Sequence, residues 1–294
     1  MRLLLGSALG VLVALVALVI GLRTIGSARW AARVRVQLGR LDVGNIASAG
    51  RRPVPERYDA NEIVGLPAPV QRYFQAVLTD GQRIIAAANI KMTGTINLSA
   101  TAEQWKPFTS RQRVVTRKPG FLWDAQVGLF PGVPVKVEDS YVAGQGQLHA
   151  KVFGLFEVAD SQGAGEIARG EFMRYFAEAA WYPTALLPSQ GVLWEAVDEA
   201  SANATLVDGP ITLTLLIRFN ETGLIASLHA DARGVGPDKD GVMVMLPWDC
   251  TWSDYRPCGG MLVPMAGGVA WLRPEGRKAY FVGNVQALQY EFLP

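Results

Sequence analysis

ITLTLLIRF, residues 211–219, alternates: Ile211, Leu213, Leu215, Ile217 and Phe219 fall on one side of an extended chain, and Thr212, Thr214 and Arg218 on the other. A period of two is the signature of a strand with one buried face. Asn220-Glu-Thr-Gly223 is a turn, and the next run repeats the pattern. Leu224, Ala226, Leu228, Ala230 and Ala232 oppose Ser227, His229, Asp231 and Arg233. Two alternating runs joined by a short polar turn predict an antiparallel hairpin.

Working outward, further turn signals stand at Lys118-Pro-Gly120, Asp208-Gly-Pro210 and Cys258-Gly-Gly260. Strands are expected near 88–98, 108–117, 120–128, 133–143, 145–153, 191–198, 201–207, 211–219, 224–233, 242–256, 261–272 and 278–292. Short links and one apolar face make this a mainly β chain with two or three helices, built as a curved antiparallel sheet or open half-barrel. No Pro-, Ser- or charge-rich linker divides it, so 59–294 is read as a single domain.

Two segments break the period. Leu66 to Leu78 reads as a helix, with Pro69 in its first turn and Val70, Tyr73, Phe74, Val77 and Leu78 at helical spacing. Gly165 to Trp181 is the second, ended by Pro183. Ile167, Phe172, Tyr175, Phe176, Ala179 and Ala180 make it apolar over more than half its circumference, so it does not lie on a solvent face. Glu171 and Glu178 flank Arg174 at spacings that support a helix.

The N-terminus is of another kind. Leu3 to Leu22 carries no charge over 20 residues, enough at about 1.5 Å rise per residue to cross a hydrocarbon core of roughly 30 Å. A cleaved signal peptide competes, but its apolar region spans only about 7–15 residues. The expectation is therefore a transmembrane anchor over 1–27, then a basic juxtamembrane segment and linker over 28–58, and a single-pass membrane location. Gly6 and Gly10 form a GxxxG match that could pair two such helices into a homodimer.

Charge divides unevenly. Between Arg23 and Arg52 there are seven arginines and one acid, Asp42; setting these and Arg2 aside leaves 20 basic and 25 acidic residues from Pro53 onward. A net-acidic domain argues against nucleic acid as a partner. Five arginines (23, 29, 33, 35 and 40) follow the apolar span and only Arg2 precedes it. The positive-inside rule then points the domain to the cytoplasm.

Chemistry-bearing residues are sparse. His149 alternates with Gln147 and Lys151, and His229 with Ser227 and Asp231, so both read as solvated. Two histidines and two cysteines, Cys250 and Cys258, assemble no zinc or haem motif. The cysteines are eight apart in one extended run, roughly 26 Å by chain geometry, and are not expected to pair. No nucleophile elbow, P-loop or dinucleotide fingerprint is present. No catalytic residue, metal or cofactor is assigned.

Two carboxylates stand out. Asp124 follows Trp123, and Asp139 shares a strand face with Val133, Val135, Val137 and Tyr141. A carboxylate among apolar groups needs a raised pKa or a paired arginine, for which Arg72 and Arg174 are candidates. A structural ion pair, recognition of a ligand headgroup and a general acid/base pair all fit that pattern. Trp105, Trp123, Tyr141, Trp181, Tyr182, Trp194, Trp248 and Trp252 read mainly as core, with a subset able to line a cavity.

LPAPVQRYF (66–74), WKPF (105–108), PGFLWDA (119–125), RYFAEAAWYPTALLP (174–188), SDYR (253–256) and GMLVP (260–264) together resemble a bacterial family of membrane-anchored proteins of unknown function. More remotely, FNETGLIASL and DYRPCGGMLVP are similar to the LolA/LolB-type lipoprotein-carrier superfamily. The resemblances imply a bacterial inner membrane for the anchor, an open half-barrel with a helix on its concave face, an acyl chain in a hydrophobic cavity, and a place outside the cytoplasm, against the arginine count. On that architecture the ligand-binding set is Trp123, Asp124, Asp139, Tyr141, Arg174, Phe176, Trp181 and Tyr182. The expected function is non-enzymatic binding of a lipid or lipoprotein acyl chain. The alternatives are a hydrolase working through Asp124 and Asp139, or a ligand-free scaffold of the cell envelope.

Overall fold

The computed structural model describes residues 2–47 and 55–293, the side chains of 2–9, 11–12, 15, 45–47 and 237 excepted. Thirteen strands are described: β1 (Ile85–Asn97), β2 (Trp105–Val115), β3 (Gly120–Phe130), β4 (Val133–Val142), β5 (Gln145–Val152), β6 (Phe156–Gly163), β7 (Leu193–Asp198), β8 (Ser201–Asp208), β9 (Ile211–Phe219), β10 (Ile225–Pro237), β11 (Met243–Cys258), β12 (Met261–Arg273) and β13 (Gly276–Phe292). The helices are α1 (Arg2–Ala47), α2 (Ala68–Val77) and α3 (Glu166–Ala177).

All thirteen strands form one open antiparallel sheet in the order β6-β5-β4-β3-β2-β1-β13-β12-β11-β10-β9-β8-β7. The chain starts at the centre, walks out to β6, crosses to the far edge at β7, and walks back until β13 pairs with β1. That single crossing explains the aromatic helix that interrupts the strands. It holds α3 and three short 3-10 turns, Glu178–Trp181, Pro183–Leu186 and Pro188–Gln190.

The sheet is strongly curved. Tyr141 in β4 donates its hydroxyl to Asp208 in β8 at 2.7 Å. Those strands are nine places apart in the sheet order, which in a flat sheet at about 4.8 Å per strand would be roughly 43 Å. The two halves therefore curl toward each other around α3, which packs on β3 to β6 on one side and on β9 and β10 on the other. The main core fills this concave side: Phe172, Phe176, Trp181, Tyr182 and Leu187 from the crossing segment, with Tyr73 and Phe74 of α2, against Phe121, Tyr141, Leu215 and Val263 of the sheet.

Three expectations need amending. The stretch 156–163, not expected as a strand, is the edge strand β6. The helix expected to reach Trp181 ends at Ala177 and tightens into 3-10 turns. The third concerns the membrane. Among the described residues no helix is long and apolar enough to cross a membrane, which overturns the expected single-pass inner-membrane anchor over 3–22. In its described part, the helix does not stop where the apolar run stops. It continues through Arg23, Arg29, Arg33, Arg35 and Arg40 as one element and docks on the convex face of the sheet.

The docking has its own small core: Trp30, Val34 and Leu41 of α1 against Ala87, Val115 and Leu122. These helix positions share one stripe, so a basic helix still buries an apolar edge. Where α1 passes the turn after β5, a Cβ on Gly26 would come within 1.9 Å of the Phe153 carbonyl oxygen, so only glycine lets the helix approach this closely. The GxxxG pairing involves Gly6, which lies outside the described side chains; nothing lies within 4 Å of a Cβ at Gly10. Part of the expected linker, 48–54, lies outside the described residues.

Candidate functional site

The residues with unusual chemistry gather where α3 meets the two halves of the sheet. Glu171 and Arg174 lie on α3, and Glu178 opens the 3-10 turn that follows. Arg174 donates from Nη1 to Asp139 Oδ2 of β4 at 2.6 Å and from Nε to Glu178 Oε1 at 2.8 Å. Gln112 of β2 closes the ring, with Nε2 donating to Glu178 Oε2 at 2.6 Å. The guanidinium also lies over the rings of Trp123 and Phe121, 4.8 and 5.0 Å from their centroids. A planar cation saturated by two carboxylates, an amide and two aromatic faces is a use to which lysine is not suited.

Arg233 of β10 enters the same cluster from the other side. Its carbon Cζ sits 4.6 Å from the Trp248 ring centroid and 5.8 Å from that of Trp271. Nη1 donates to the Tyr280 hydroxyl at 3.2 Å, and Trp248 Nε1 donates to that same oxygen at 3.0 Å. Its contact with Glu171 is loose, 3.9 Å, and its Nε is buried without a partner. Asp139 Oδ1, Glu171 Oε2, Ser110 Oγ and Trp123 Nε1 are also buried and unpartnered. Such a concentration of unmet polar atoms is unusual in a folded interior.

Three carboxyls thus face two guanidiniums, one acid too many for charge balance. Burial pushes the Glu171 carboxyl up to about 8, with Asp139 nearby adding to the rise and Arg233 opposing it. Asp139 is also raised by burial, held back by Arg174 and Arg233. Glu171 therefore carries the extra proton at neutral pH. The sign for stability follows: in the unfolded chain Glu171 ionises near 4.5, so between about pH 4.5 and 8 the folded state binds a proton the unfolded state lacks. Stability falls with rising pH through that window and levels off above it. Glu171→Gln should remove the slope. At pH 8.5 the variant is expected to be more stable than wild type by on the order of 2–3 kcal/mol. Each tenfold change in proton affinity corresponds to about 1.4 kcal/mol, and relaxation around the buried charge recovers part of the total. At pH 4.5 the two should coincide. Urea unfolding across this range reads both limbs, and parallel curves would show that Glu171 ionises normally.

A family model described as a family of unknown function (DUF6920) matches residues 64–290. The chain belongs to this family. The match takes in every member of the Arg174 and Arg233 cluster and excludes α1. A solved structure of a LolA superfamily protein from Nitrosomonas europaea is similar over 81% of this chain and 96% of that one, at 12% identity and a TM-score of 0.31. That likeness is too distant to speak to function. Comparison with curated proteins gives no match.

Within this DUF6920 chain the expected site residues separate into three groups. Trp123, Asp139 and Arg174 come together as described, with Arg174 rather than Arg72 on Asp139; Arg72 instead donates to the Glu199 carbonyl. Tyr141, Phe176, Trp181 and Tyr182 are fully packed core, and burial with the bond to Asp208 raises the Tyr141 phenol. Asp124 faces the other way: in the β3–β4 ladder Trp123 pairs with Asp139 and Asp124 with Glu138, so successive residues alternate faces. Asp124 accepts from Trp30 Nε1 of α1 at 2.8 Å on the convex side. Asp124 and Asp139 do not converge.

Neither histidine is free in solvent. His229 bonds Asp249 through Nδ1 at 2.7 Å, and His149 is buried beneath Trp30. Arg233, Glu171, Glu178, Gln112 and Tyr280 were not expected at the site. Glu171 and Glu178 were legible only as helical neighbours of Arg174. Arg233 was placed by strict alternation on the polar face. A bulge in the β10–β11 pairing between Ala230 and Arg233 inserts a residue and turns the side chain inward.

Proposed function

We propose that the protein is a non-enzymatic binding protein for an amphipathic ligand, an acyl chain with an anionic headgroup, held on the part of the concave face that α3 leaves uncovered. The observation that carries this reading is Arg233. Its guanidinium is anchored on Trp248 and Trp271, lacks a close carboxylate, keeps Nε unpartnered, and borders partly exposed aromatic surface at Trp271, Tyr280 and Phe281. A cation at the margin of an aromatic wall suits an acid-headed amphiphile: the chain lies on the rings and the headgroup meets the guanidinium. Arg174, by contrast, is already saturated. The hydrolase alternative needs Asp124 and Asp139 in one cleft, and they lie on opposite faces.

A ligand-free scaffold draws support from the dense packing around α3, where Phe172, Phe176 and Tyr182 are buried. The test separates the two. A fluorescent fatty acid and the fatty alcohol of the same length are titrated into wild type and Arg233→Met. Wild type is expected to prefer the acid by about tenfold, the equivalent of about 1.4 kcal/mol, and the variant should lose that preference while still binding the alcohol. Protonated Glu171 leaves no bare charge behind in the variant, so its unfolding midpoint should stay near wild type. Absence of saturable binding by either probe would leave the scaffold reading.

A further inference from the structure

The convex face carries a second cluster, built on β5 and the edge strand β6 beside α1. His149 is 2% exposed, with its ring stacked on Trp30 at 5.8 Å between centroids and 13° between planes. Neither ring nitrogen makes a hydrogen bond; Nδ1 approaches Asp160 Oδ1 at 3.2 Å outside bonding geometry. Buried imidazoles ordinarily satisfy their nitrogens, so this one calls for a partner of another kind. Asp160 stands directly across from it in the β5–β6 ladder.

Glu157 is three residues before Asp160 and in a regular strand would point to the opposite face. The pairing jumps there: Ala150 faces Ala159, but Lys151 faces Glu157, so Val158 is the extra residue of a bulge. The bulge turns Glu157 onto the face of His149 and Asp160. One ligand atom from each of His149, Glu157 and Asp160 then lies within 4.8 Å of the other two.

The geometry points to a site for one divalent transition-metal ion, Zn²⁺ or a metal of similar preference, held by His149, Glu157 and Asp160. One imidazole nitrogen and two carboxylate oxygens make a donor set favoured by zinc and its neighbours over calcium or magnesium. Zinc–ligand bonds of about 2.0–2.2 Å need the donors somewhat closer than they stand. Glu157 and Asp160 have that freedom, being 54% and 34% exposed. The cation nearest to Glu157 is Lys151, at 3.8 Å, while Arg33 is committed to Glu138 at 3.3 Å. The ion would tie the edge strand to β5 and hold the His149 ring in place under Trp30, so the seat of α1 depends on it. Water would complete the coordination from the exposed side.

Titration of the chain, residues 1–294, with Co²⁺, read by its visible absorption and followed by displacement with Zn²⁺, tests the site. One equivalent is expected to bind. Asp160→Asn and Glu157→Gln should each weaken binding by at least about tenfold, and His149→Gln should abolish it. The two acids are solvent-facing, so their variants keep the fold even if His149→Gln does not. No saturable one-equivalent absorption, or binding unchanged in both acid variants, overturns the assignment.

Discussion

Arg174→Met is expected to destabilise the protein by about 3–5 kcal/mol at pH 7, the range found when one member of a buried ion pair is removed. The loss exceeds that of a surface pair because Arg174 serves two acids. Asp139 at 2.6 Å and Glu178 at 2.8 Å would both lose their counter-ion. Asp139 already has one oxygen without a partner, and Gln112 can satisfy only Glu178. Methionine keeps some contact with the Trp123 and Phe121 rings, so the measured effect is mostly electrostatic. The pH dependence identifies it. Asp139 has a carboxyl already raised by burial, and without Arg174 it should rise further. The variant's deficit should therefore shrink as pH falls toward 4, where Asp139 takes up a proton and needs no cation. Urea unfolding midpoints at pH 4.5 and 7.5 measure it. A deficit under about 1 kcal/mol, independent of pH, would mean that the pair behaves as a solvated one. Arg174→Lys should fall between, since an ammonium cannot reach Asp139 and Glu178 in the same planar geometry.

The sheet was legible because most of its strands alternate without interruption. ITLTLLIRF reads correctly for nine residues because β9 pairs with β8 in unbroken register from Asp208 to Ser201. Asp139 was placed on the inward face for the same reason, and its need for an arginine followed from burial alone. The sites escaped where the alternation breaks. Arg233 lies beyond one bulge, and an inserted residue reverses every face assignment after it; Glu157 lies beyond another, in a stretch not expected as a strand at all. Neither bulge carries a glycine or proline at the break that would announce it. His149 was misread for a different reason. Its strand face is polar, which ordinarily means solvent, but α1 covers it with Trp30, Arg33 and Gln37, each bringing a polar group or a ring to a partner on the sheet. A polar face buried under a basic helix leaves no mark in local periodicity. The apolar run at 3–22 was read by its own hydropathy, although the helix that contains it continues to Ala47 and docks on the sheet.

Trp181→Ala is expected to cost about 3–5 kcal/mol, the range for truncating a fully packed aromatic. Trp181 is 2% exposed. It packs edge-on against Trp252 at 4.8 Å and 74°, and its Nε1 donates to the Pro264 carbonyl at 2.9 Å. Its own carbonyl accepts from Tyr290 at 2.6 Å, tying the crossing segment to β13. Truncation would remove the packed ring and leave the Pro264 oxygen buried without its donor, so packing and hydrogen bonding lose together. A lid over an existing cavity would behave differently. Fewer packed atoms would be lost, the cost would drop to on the order of 1–2 kcal/mol, and release of a bound fatty-acid probe would speed up. Phe176, 1% exposed and without a polar atom, is the control that isolates packing. If Phe176→Ala and Trp181→Ala both cost several kcal/mol while probe release is unchanged, the crossing segment is a keel that holds the two halves of the sheet in their curl. On the proposed binding reading, the ligand would then exchange at the Arg233 end of the concave face. Faster release in Trp181→Ala with a small stability loss would move the entrance to the crossing segment itself.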